Sequence, residues 1–525
     1  MRRIAIPIAA VLIVALLPPG AGAKVSGFRF GVTAGEVTSK SARIWGATQG
    51  SGKLRAVVAT DRRFRNVVAL RRPRSKGKND NTVQTKAEGL KPNLKHFYRF
   101  CARGATCSAT GKFRTAPRRS DSRAVRFGFT GDTDGTPLPG ADTPFFGTFE
   151  VFRTMRQERN DFNVHKGDTI YSDSGVGGGP PAVTVEEKWG KYRQNLEQAN
   201  LTRLRKSAGF YSHWDDHEFI NDFSIPEDGE ALYDAGVKAF RDYAPVGYSR
   251  DNGLYRKFRW GKNLEIFFLD ERSFRAAKAS FNGTCDNPST GAPDLAPTAP
   301  TSTRNLFSAL IPSLDQPVSQ ECKRTINDPN RPFLGQRQLN RFVRDVDSSR
   351  ARWKVIMNET PIQQFYGLPY DRWEGYAFER IALLNELEQR GVSDLIFLST
   401  DTHAAFANVV RKRTLPDDVA PTNAPTGPTD TPYSDFIAGP VATSPFWEEI
   451  DEVTNEPGSG ELLSEFFFAR EPPLGVGMQC AQGGVFNYAQ VTVEKRTLEV
   501  AYKDQDGNVV QDWDGAPCGP YTISR

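Results

Sequence analysis

The sequence predicts a large α/β domain that follows a small all-β region. In residues 24–117, short segments alternate apolar and polar residues between Gly, Pro and Asn, which is typical of strands joined by turns. After a basic, polar stretch at residues 117–123, short apolar segments alternate with longer ones in which apolar residues recur every three or four positions. This alternation indicates strands and helices of an α/β domain over residues 122–525. The length of 525 residues agrees, because one hydrophobic core rarely serves so long a chain.

These patterns also assign the individual elements. The all-β region, a small sandwich, has predicted strands at residues 28–32, 41–48, 54–60, 96–101 and 112–115. The α/β domain has predicted strands at residues 124–130, 162–166, 210–214, 264–269, 353–358 and 395–400, and predicted helices at 144–158, 185–206, 230–243, 335–347 and 378–390. Two Pro- and Thr-rich stretches, 287–303 and 414–432, lack an apolar period and are predicted to be surface loops or insertions.

The first 23 residues have the order of a secretory signal peptide. Arg2 and Arg3 precede an apolar run at residues 4–17 and a small-residue site at 21–23. We expect cleavage after Ala23, because the apolar run is shorter than the roughly 20 residues that cross a bilayer. An uncleaved anchor is the alternative. The prediction is therefore a secreted or extracytoplasmic chain whose mature form has no transmembrane span.

The six cysteines agree with export, because disulfides form in oxidising compartments. They fall into three couples that are close in sequence: Cys101 with Cys107, Cys285 with Cys322, and Cys480 with Cys518. Six cysteines allow 15 connectivities, and only the first couple is close enough in sequence to be paired on that ground. None has the C-x-x-C spacing of a metal site.

Charge and motifs argue against two classes of function. The formal charge is +6, and it becomes +4 without residues 1–23, which hold two Arg and no acidic residue. So small a charge, without a dense basic stripe, does not predict a stable nucleic-acid partner. No G-x-G-x-x-G motif follows a predicted strand, which argues against a nucleotide-dependent oxidoreductase.

Four predicted strands end in loops that carry Asp or His, and in open α/β sheets sites form at such carboxyl ends. In the first loop, Asp132 and Asp134 stand two residues apart between glycines, so two carboxylates can face one hard cation. A plain Asp-Gly turn is the alternative. In the second loop, Asp168 can bridge two cations and Tyr171 can supply a phenolate, a hard ligand that suits ferric iron. The alternative there is a turn followed by a packing tyrosine.

The third and fourth loops concentrate ionisable side chains. Residues 214–218 read Trp-Asp-Asp-His-Glu, and four such groups in a row resist joint ionisation unless cations neutralise them. In the fourth loop, Asp401 and His403 repeat the spacing of the first pair. Three of the five histidines in the chain, His165, His217 and His403, lie in the four loops. The loops together predict one shared metal site.

The order of these motifs, G-D-x-D, G-D-x-x-x-x-D, D-H-E and D-x-H, resembles that of the calcineurin-like metallophosphoesterases. Three segments are more closely similar to the alkaline phosphatase D (PhoD-like) family: H-K-G-D-T-I-Y at 165–171, W-D-D-H-E at 214–218 and D-E-R-S-F-R at 270–275. F-G-V-T-A-G at 30–35 and R-I-W at 43–45 resemble that family's preceding β-sandwich. The resemblance covers nearly all of the chain after residue 23, and W-D-D-H-E is its most specific part.

The resemblance implies a four-layer αββα metallophosphoesterase core preceded by a fibronectin type III-like sandwich. It implies these metal ligands: Asp132, Asp134, Asp168, Tyr171, Asp216, Asp401 and His403. Asp168 would bridge the metals and Tyr171 would bind ferric iron. Two positions depart from the pattern, because many relatives have a Cys where this chain has Gly131-Asp132, and Asp401 replaces a His. Iron and calcium are the implied metals, with manganese or zinc as alternatives.

The implied reaction is hydrolysis of phosphate monoesters or diesters by a metal-activated hydroxide. His217, beside Asp216, would stabilise the transition state or protonate the leaving oxygen, with Asp215 or Glu218 as its orienting partner. Arg272 or Arg275 is a candidate to bind phosphate through its guanidinium fork, with a surface or interdomain salt bridge as the alternative.

Two rival functions stay open on the sequence alone. A nuclease or a phospholipase D-like phosphodiesterase on the same core would share the metal loops and differ in the substrate pocket. The substrate would then be a wall polymer or a phospholipid, among other phosphate esters. The second rival is a non-catalytic protein that binds a wall component, with a degenerate enzyme as its α/β domain. His217 and the full set of carboxylates argue against this second rival.

Overall fold

The computed structural model describes residues 24–104 and 106–525. The predicted signal peptide, at residues 1–23, lies outside the described residues. Among the helices of the described ranges, none is both long enough and apolar enough to cross a membrane.

Residues 24–117 form strands and one short 3₁₀-helix, Gly77–Asn79. The strands are β1 (Gly27–Gly35), β2 (Ser41–Gln49), β3 (Gly52–Lys53), β4 (Arg55–Ala59), β5 (Val67–Arg71), β6 (Arg74–Ser75), β7 (Thr82–Glu88), β8 (Lys95–Cys101) and β9 (Gly111–Arg114). All five predicted strands are confirmed. The sequence pattern misses β3 and β6, which have two residues each, and also β5 and β7.

The strands of the α/β domain follow from residue 125 onward. They are β10 (Val125–Thr130), β11 (Phe162–Lys166), β12 (Gly209–His213), β13 (Arg256–Trp260), β14 (Leu264–Phe268), β15 (Trp353–Met357), β16 (Leu395–Ser399), β17 (Ala405–Arg413), β18 (Thr429–Ile437), β19 (Cys480–Gln482), β20 (Asn487–Val493), β21 (Thr497–Asp504) and β22 (Tyr521–Ser524). The six strands predicted for this domain are all present.

The helices lie between these strands. The α-helices are α1 (Glu150–Gln157), α2 (Val185–Glu197), α3 (Ala199–Arg205), α4 (Ile225–Asp228), α5 (Glu230–Tyr243), α6 (Thr301–Phe307), α7 (Gln320–Ile326), α8 (Gln336–Asp347), α9 (Ala377–Gln389), α10 (Phe446–Thr454) and α11 (Ser459–Leu463). Short 3₁₀-helices occupy Val176–Gly178, Phe281–Gly283, Pro312–Asp315, Pro369–Asp371 and Trp373–Tyr376, and a π-helix occupies Ser464–Phe468.

Two large sheets face each other between layers of helices. The first sheet has the order β22-β21-β20-β10-β11-β12-β1-β2-β7, and the second has the order β13-β14-β15-β16-β18-β17-β19. In β15, Val355 and Met357 join the core between the sheets, whereas Ile356 packs against α8 and α9. The same alternation in the other central strands buries both faces, which explains why these strands read as continuous apolar runs. The outer face of the first sheet is covered by α1, α2, α3 and α5.

The all-β region shares a sheet with the α/β domain. β1 pairs in parallel with β12 through Ala34 and Gly209, so β1, β2 and β7 extend the first sheet. A separate four-stranded sheet, β5-β4-β8-β9, adds Val58, Tyr98 and Phe100 to the core between the sheets. A period of two predicts strands but does not specify the partner of each strand, so the shared sheet was beyond the sequence analysis.

Two predicted helices need correction. The helix predicted at 144–158 begins only at Glu150, because Phe149 adopts a left-handed backbone with φ of 64° and cannot continue a helix. The helix predicted at 185–206 is two helices, since Gln198 is extended, with ψ of 115°. α2 itself begins with a capping box, in which Thr184 and Glu187 bond each other's backbone N–H groups.

Three disulfides connect the cysteines that are close in sequence: Cys101–Cys107, Cys285–Cys322 and Cys480–Cys518. The second bond closes a segment that contains the first Pro- and Thr-rich stretch and α6. The third joins β19 to the connection before β22, which ties the two sheets together.

Replacement of Phe127 by Ala tests the core between the sheets. The buried Phe127 ring stacks on Phe162, with 4.8 Å between centroids. We expect Phe127→Ala to lower the free energy of unfolding by about 3–5 kcal/mol, because the lost ring leaves a cavity. Urea denaturation measures this change. The matched control Phe281→Ala, whose ring is 40% exposed, should change the free energy by no more than about 0.5 kcal/mol. Equal losses in the two variants would contradict this assignment of the core.

Candidate metal centre

The four acidic loops meet at the carboxyl edges of the two facing sheets. Loops after β10, β11 and β12 come from the first sheet, and the loop after β16 comes from the second. The loops contact each other through their backbones, since the N–H of Thr133 donates to the Asp168 carbonyl at 2.9 Å. The hydroxyl of Thr400 donates to the Lys166 carbonyl and so joins the two sheets at this edge. The predicted meeting of the four loops is therefore confirmed.

The first group of converging ligand atoms belongs to Asp132, Asp168 and His403, and these atoms lie within 4.8 Å of one another. All three residues are buried. Neither carboxylate oxygen of Asp132 has a hydrogen-bond partner, although the residue is fully buried. The hydroxyl of Tyr171 lies 2.8 Å from Nε2 of His403, so the phenol adjoins this group. An unpaired buried carboxylate is costly, and a hard cation among these oxygen and nitrogen donors would remove that cost.

A second group, Asp168, Asp216 and His217, shares Asp168 with the first. This is the arrangement expected of a bridging carboxylate. Asp401 converges with Asp216 and Asp215 in a third group, so the fourth loop reaches the same centre from the other sheet.

Burial and mutual repulsion shift the pKa values of these carboxyls. Burial raises the pKa of Asp132 to about 7. The pKa of Asp168 lies well above its usual value because of burial and then the charges of Asp216 and Asp215. Burial and the same two neighbours raise the pKa of Asp401. Without a cation these groups cannot all be ionised at neutral pH, so the donor set fits a metal centre.

Four of the loop residues have left-handed backbone conformations. The φ angles are 66° at Asp132, 46° at Asp168, 73° at Asp401 and 50° at His403. Such angles are uncommon for residues other than Gly, and each costs of order 1–3 kcal/mol. Left-handed backbone at four residues of these loops indicates a site whose geometry the surrounding fold imposes.

His217 is oriented by Asp173. Nδ1 of His217 lies 2.6 Å from a carboxylate oxygen of Asp173, whose other oxygen accepts the N–H of Asn221 at 2.7 Å. Burial lowers the pKa of His217, but the charge of Asp216 and the bond to Asp173 outweigh it and raise the pKa to about 10. The sequence analysis named Asp215 or Glu218 as this partner, which is wrong.

The two rejected partners have other roles. Asp215 accepts from Nε of Arg272 at 2.6 Å, and Glu218 accepts the N–H of Thr169 at 2.7 Å. Both carboxylates are buried behind the loops. Asp173 belongs to the G-D-x-x-x-x-D motif, so the signal for the correct partner was present in the sequence but its role was not assigned.

His403 is oriented in the same way by Glu449. Nδ1 of His403 lies 2.6 Å from a carboxylate oxygen of Glu449, on α10. Burial lowers the pKa of His403, but the charge of Glu449 and this hydrogen bond raise it to about 9. The bond directs Nε2 of His403 toward the first group of ligand atoms, because the two ring nitrogens point in opposite directions. No sequence motif marks Glu449, which lies 46 residues after His403.

Arg272 lies inside the protein, behind the ligand groups. Its guanidinium is fully buried and contacts Asp215 at 2.6 Å and Asp371 at 2.7 Å. It is also 3.7 Å from Asp216 and from Asp401. Arg275 is buried as well and contacts Asp371 at 2.8 Å. Neither arginine lines the pocket above the ligand groups. Both form salt bridges, but these are buried and do not lie at the surface, as the alternative in the sequence analysis had allowed.

Asp134 lines the same pocket but stands apart from the converging groups. One carboxylate oxygen accepts the N–H of Thr136 at 2.9 Å, and the other accepts the hydroxyl of Ser174. These bonds tie the Asp134 side chain to its own loop and to the loop after β11, whereas Asp132 leaves both oxygens without such partners.

An open pocket of about 1070 Å³ lies above the ligand groups. Asp168, Asp216, His217, Asp401 and His403 form its floor. Two cationic side chains that the sequence analysis did not single out, Lys278 and Arg372, line its wall. The pocket therefore offers metal ligands, an oriented imidazole and positive charge to one small anionic molecule.

Comparison with known families agrees with this geometry. The profile of the PhoD-like phosphatase family matches residues 138–475, and the profile of that family's N-terminal domain matches residues 16–117. The chain belongs to the PhoD-like phosphatase family. The resemblance inferred from the loop motifs is thereby confirmed.

Individual relatives within and beyond the PhoD-like phosphatases are distant. Alkaline phosphatase D of Bacillus subtilis (strain 168) is 24% identical over 437 residues, which cover 73% of this chain and 65% of that relative's length. A solved structure of PhoD superposes with a TM-score of 0.67 at 20% identity, covering 97% of this chain and 90% of the other. Purple acid phosphatase PPD1 from yellow lupin (Lupinus luteus) seeds gives a TM-score of 0.55 at 12% identity, covering 95% and 74%.

Metal analysis of Asp168→Asn tests the shared carboxylate. We expect the metal-loaded wild type to hold at least two ions per chain and the variant to lose at least one, because Asp168 belongs to both the first and the second ligand group. Mass spectrometry of the metals after dialysis measures the content. Asp134→Asn is the comparison, since this carboxylate is bonded to Thr136 and Ser174 and belongs to none of the converging groups, so we expect nearly full metal content. Loss of metal from Asp134→Asn alone would reverse this assignment.

Replacement of Glu449 by Gln tests the orientation of His403. We expect Glu449→Gln to weaken metal binding about 10- to 100-fold, because the partner of a ligating imidazole fixes its tautomer and direction. Competition with a chelator of known affinity measures the change. Glu452→Gln, one turn later on α10, removes the same charge without a bond to His403 and is the matched control. Equal weakening in the two variants would indicate a loss of general negative charge instead.

Proposed function

We propose that this protein hydrolyses phosphate esters, monoesters or diesters, at the centre formed by the four loops. The observation that carries the proposal is that Asp132, Asp168, Asp216, Asp401 and His403 belong to overlapping groups of converging ligand atoms beneath an open pocket. Membership of the PhoD-like phosphatase family and the likeness to alkaline phosphatase D support this reaction.

The metal ligands in this proposal are Asp132, Asp168, Asp216, Asp401 and His403, with Tyr171 adjoining and Asp134 retained as a candidate. Asp168 bridges, since it belongs to two ligand groups. Iron and calcium are the proposed metals, with manganese or zinc as alternatives, because the donors are mainly carboxylate oxygens with one phenol. When bound, such ions supply Lewis-acid activation of water and neutralise phosphate charge.

His217 is the proposed general acid of the reaction. Asp173 holds Nδ1, so Nε2 is the nitrogen that can donate a proton to the leaving oxygen. Stacking on Tyr171, with 4.1 Å between ring centroids, limits rotation of the imidazole. The negative charge of Asp216, the residue before His217, favours the protonated form of the imidazole.

Lys278 and Arg372, not Arg272, are the proposed contacts for phosphate oxygens. Both side chains line the pocket, whereas Arg272 is fully buried among carboxylates. Nζ of Lys278 donates to the carbonyl and to a carboxylate oxygen of Asp222 at 3.3 and 3.2 Å, so one of its three N–H groups is left for a substrate. Arg272 is proposed to act as the internal counter-ion that keeps Asp215 and Asp371 in position.

Export is proposed from two features. The predicted signal peptide precedes the described residues, and three disulfides suit an oxidising compartment. We also propose that the N-terminal region has a fibronectin type III-like fold. Wall polymers or phospholipids are the proposed substrates. We do not propose a stable nucleic-acid partner.

Hydrolysis of p-nitrophenyl phosphate and bis-p-nitrophenyl phosphate by the chain from Lys24 onward tests the function. We expect release of p-nitrophenol that requires metal. His217→Ala should lower kcat about 10²- to 10⁴-fold with unchanged metal content, because the general acid is lost but the carboxylate ligands stay. Asp173→Asn should lower kcat about 10- to 100-fold, because the imidazole loses its orienting charge.

His96→Ala is the matched control for the loss of an imidazole. His96 is buried in β8 of the N-terminal region, so its loss should not alter kcat of the folded enzyme. A folded, metal-loaded wild type without activity on either ester would overturn the proposed function and favour the non-catalytic alternative. Full activity of His217→Ala would overturn only the role of His217.

A further inference from the structure

A second cavity adjoins the pocket of the metal centre. It has a volume of about 140 Å³, and its walls include Ala299, Phe307, Phe365, Ile450 and Phe467. We call this cavity the apolar groove. Its walls come from the first Pro- and Thr-rich stretch, α6, the loop after β15, α10, α11 and the π-helix.

The apolar groove and the metal pocket share part of their walls. Leu295, Leu368, Arg372 and Val453 line both cavities. A molecule whose phosphate lies above the metal ligands can therefore extend into the groove without leaving the protein surface.

The walls of the groove are fixed before any ligand arrives. Phe307 meets Phe467 edge to face, with 5.4 Å between ring centroids. Arg304, on α6, bonds both carboxylate oxygens of the buried Asp294 at 2.6 and 2.9 Å. The hydroxyl of Tyr370 donates to the Asp294 carbonyl at 2.7 Å, which ties this wall to the loop after β15. A preformed cavity binds its ligand with little ordering cost.

The rim of the groove exposes large apolar side chains. Leu306 is 64% exposed, Leu310 51%, Val453 51%, Phe466 47% and Leu368 39%. Leu368 and Val453 line the groove itself, Leu306 and Phe466 are adjacent in sequence to the lining residues Phe307 and Phe467, and Leu310 follows α6. Clustered exposure of this kind marks a surface that meets an apolar ligand, whereas isolated exposed apolar residues carry no such meaning.

We propose that the apolar groove binds the hydrocarbon substituent of an amphiphilic phosphate ester whose phosphate lies at the metal centre. This inference rests on the proposed function and narrows its substrate class. The groove offers a sugar or nucleoside few hydrogen bonds for the water it would lose there, because Arg304 is bonded to Asp294 and the hydroxyl of Thr454 to the Ile450 carbonyl. A cavity of about 150 Å³ holds a benzene-sized molecule, so the groove takes roughly six carbons and the rim takes the rest.

Arg372 stands where the two parts of such a substrate join. Its guanidinium covers the ring of Phe365 at 5.3 Å from the centroid, and Arg372 lines both cavities. A guanidinium can stack on an apolar face and still donate to phosphate oxygens from its edge. Arg372 therefore suits the boundary between the phosphate and the hydrocarbon.

Chain-length dependence tests the proposal. The substrates are methyl, butyl and octyl p-nitrophenyl phosphate, each below its aggregation concentration. We expect kcat/KM of the wild type to rise at least about tenfold from methyl to octyl, because each buried methylene favours binding several-fold. Val453→Asp, at an exposed position that folding tolerates, and Ala299→Phe, which fills the groove, should reduce this ratio below about threefold. Leu70→Asp, on β5, is the matched control and should keep the wild-type ratio.

Two outcomes distinguish failure of the groove proposal from failure of the proposed phosphoesterase function. If the wild type hydrolyses the methyl ester but shows a ratio near one, the groove proposal is overturned and the phosphoesterase stands. If no ester is hydrolysed, the proposed function fails. Calorimetry of octylphosphonate and methylphosphonate binding then tests whether the groove binds a hydrocarbon chain. Tighter binding of octylphosphonate by the metal-loaded wild type, lost in Val453→Asp, supports the groove, and equal binding of the two compounds overturns it.

Discussion

The concentration of negative charge at the sheet edges is the constraint on which the rest of this structure depends. Six carboxylates are buried or nearly buried there, and Arg272 compensates only part of their charge: Asp132, Asp168, Asp215, Asp216, Asp371 and Asp401. Burying an uncompensated carboxylate costs several kcal/mol, and a domain is stable by only about 5–15 kcal/mol. Metal ions would therefore complete the folded state as well as the chemistry, since their binding energy adds to the stability of the fold.

Buried cations compensate part of this negative charge on the side away from the pocket. Among the residues that the structure describes, the side that faces the pocket has no such buried cation. Arg272 lies fully buried beneath Asp215 and Asp371, and its own burial is outweighed by their charges, so its pKa stays well above the usual value. Lys166, at the end of β11, is also fully buried and its charge opposes the rise in the pKa of Glu271 and Glu359. Arg272 holds Asp215 and Asp371 in place through these contacts, and the carboxylates above it face the pocket from which ions would enter.

Much of the framework could be predicted from the sequence because it obeys local rules. Strands buried on both faces appear as apolar runs, and the loops that follow them identified Asp132, Asp168, Asp216, Asp401 and His403. Features that depend on distant contacts could not be predicted. Glu449 reaches His403 from a helix without a motif, β1 joins β12 through a single register pair, and Arg272 is buried only because two other elements cover it. Periodicity describes which face of an element is buried, not which element covers it.

The residues that would select a substrate lie in the segments with the weakest sequence signal. The stretch at 287–303 shows no apolar period, yet Leu295 and Ala299 form part of the wall beside the metal pocket. Such a wall needs a few apolar side chains at irregular spacing, held by the Cys285–Cys322 disulfide and by the pair of Arg304 with Asp294 instead of by a sheet or a helix. A fold of this kind can keep its metal ligands at the fixed sheet edges and change its substrate through these insertions alone, because the two sets of residues share no backbone hydrogen-bond ladder.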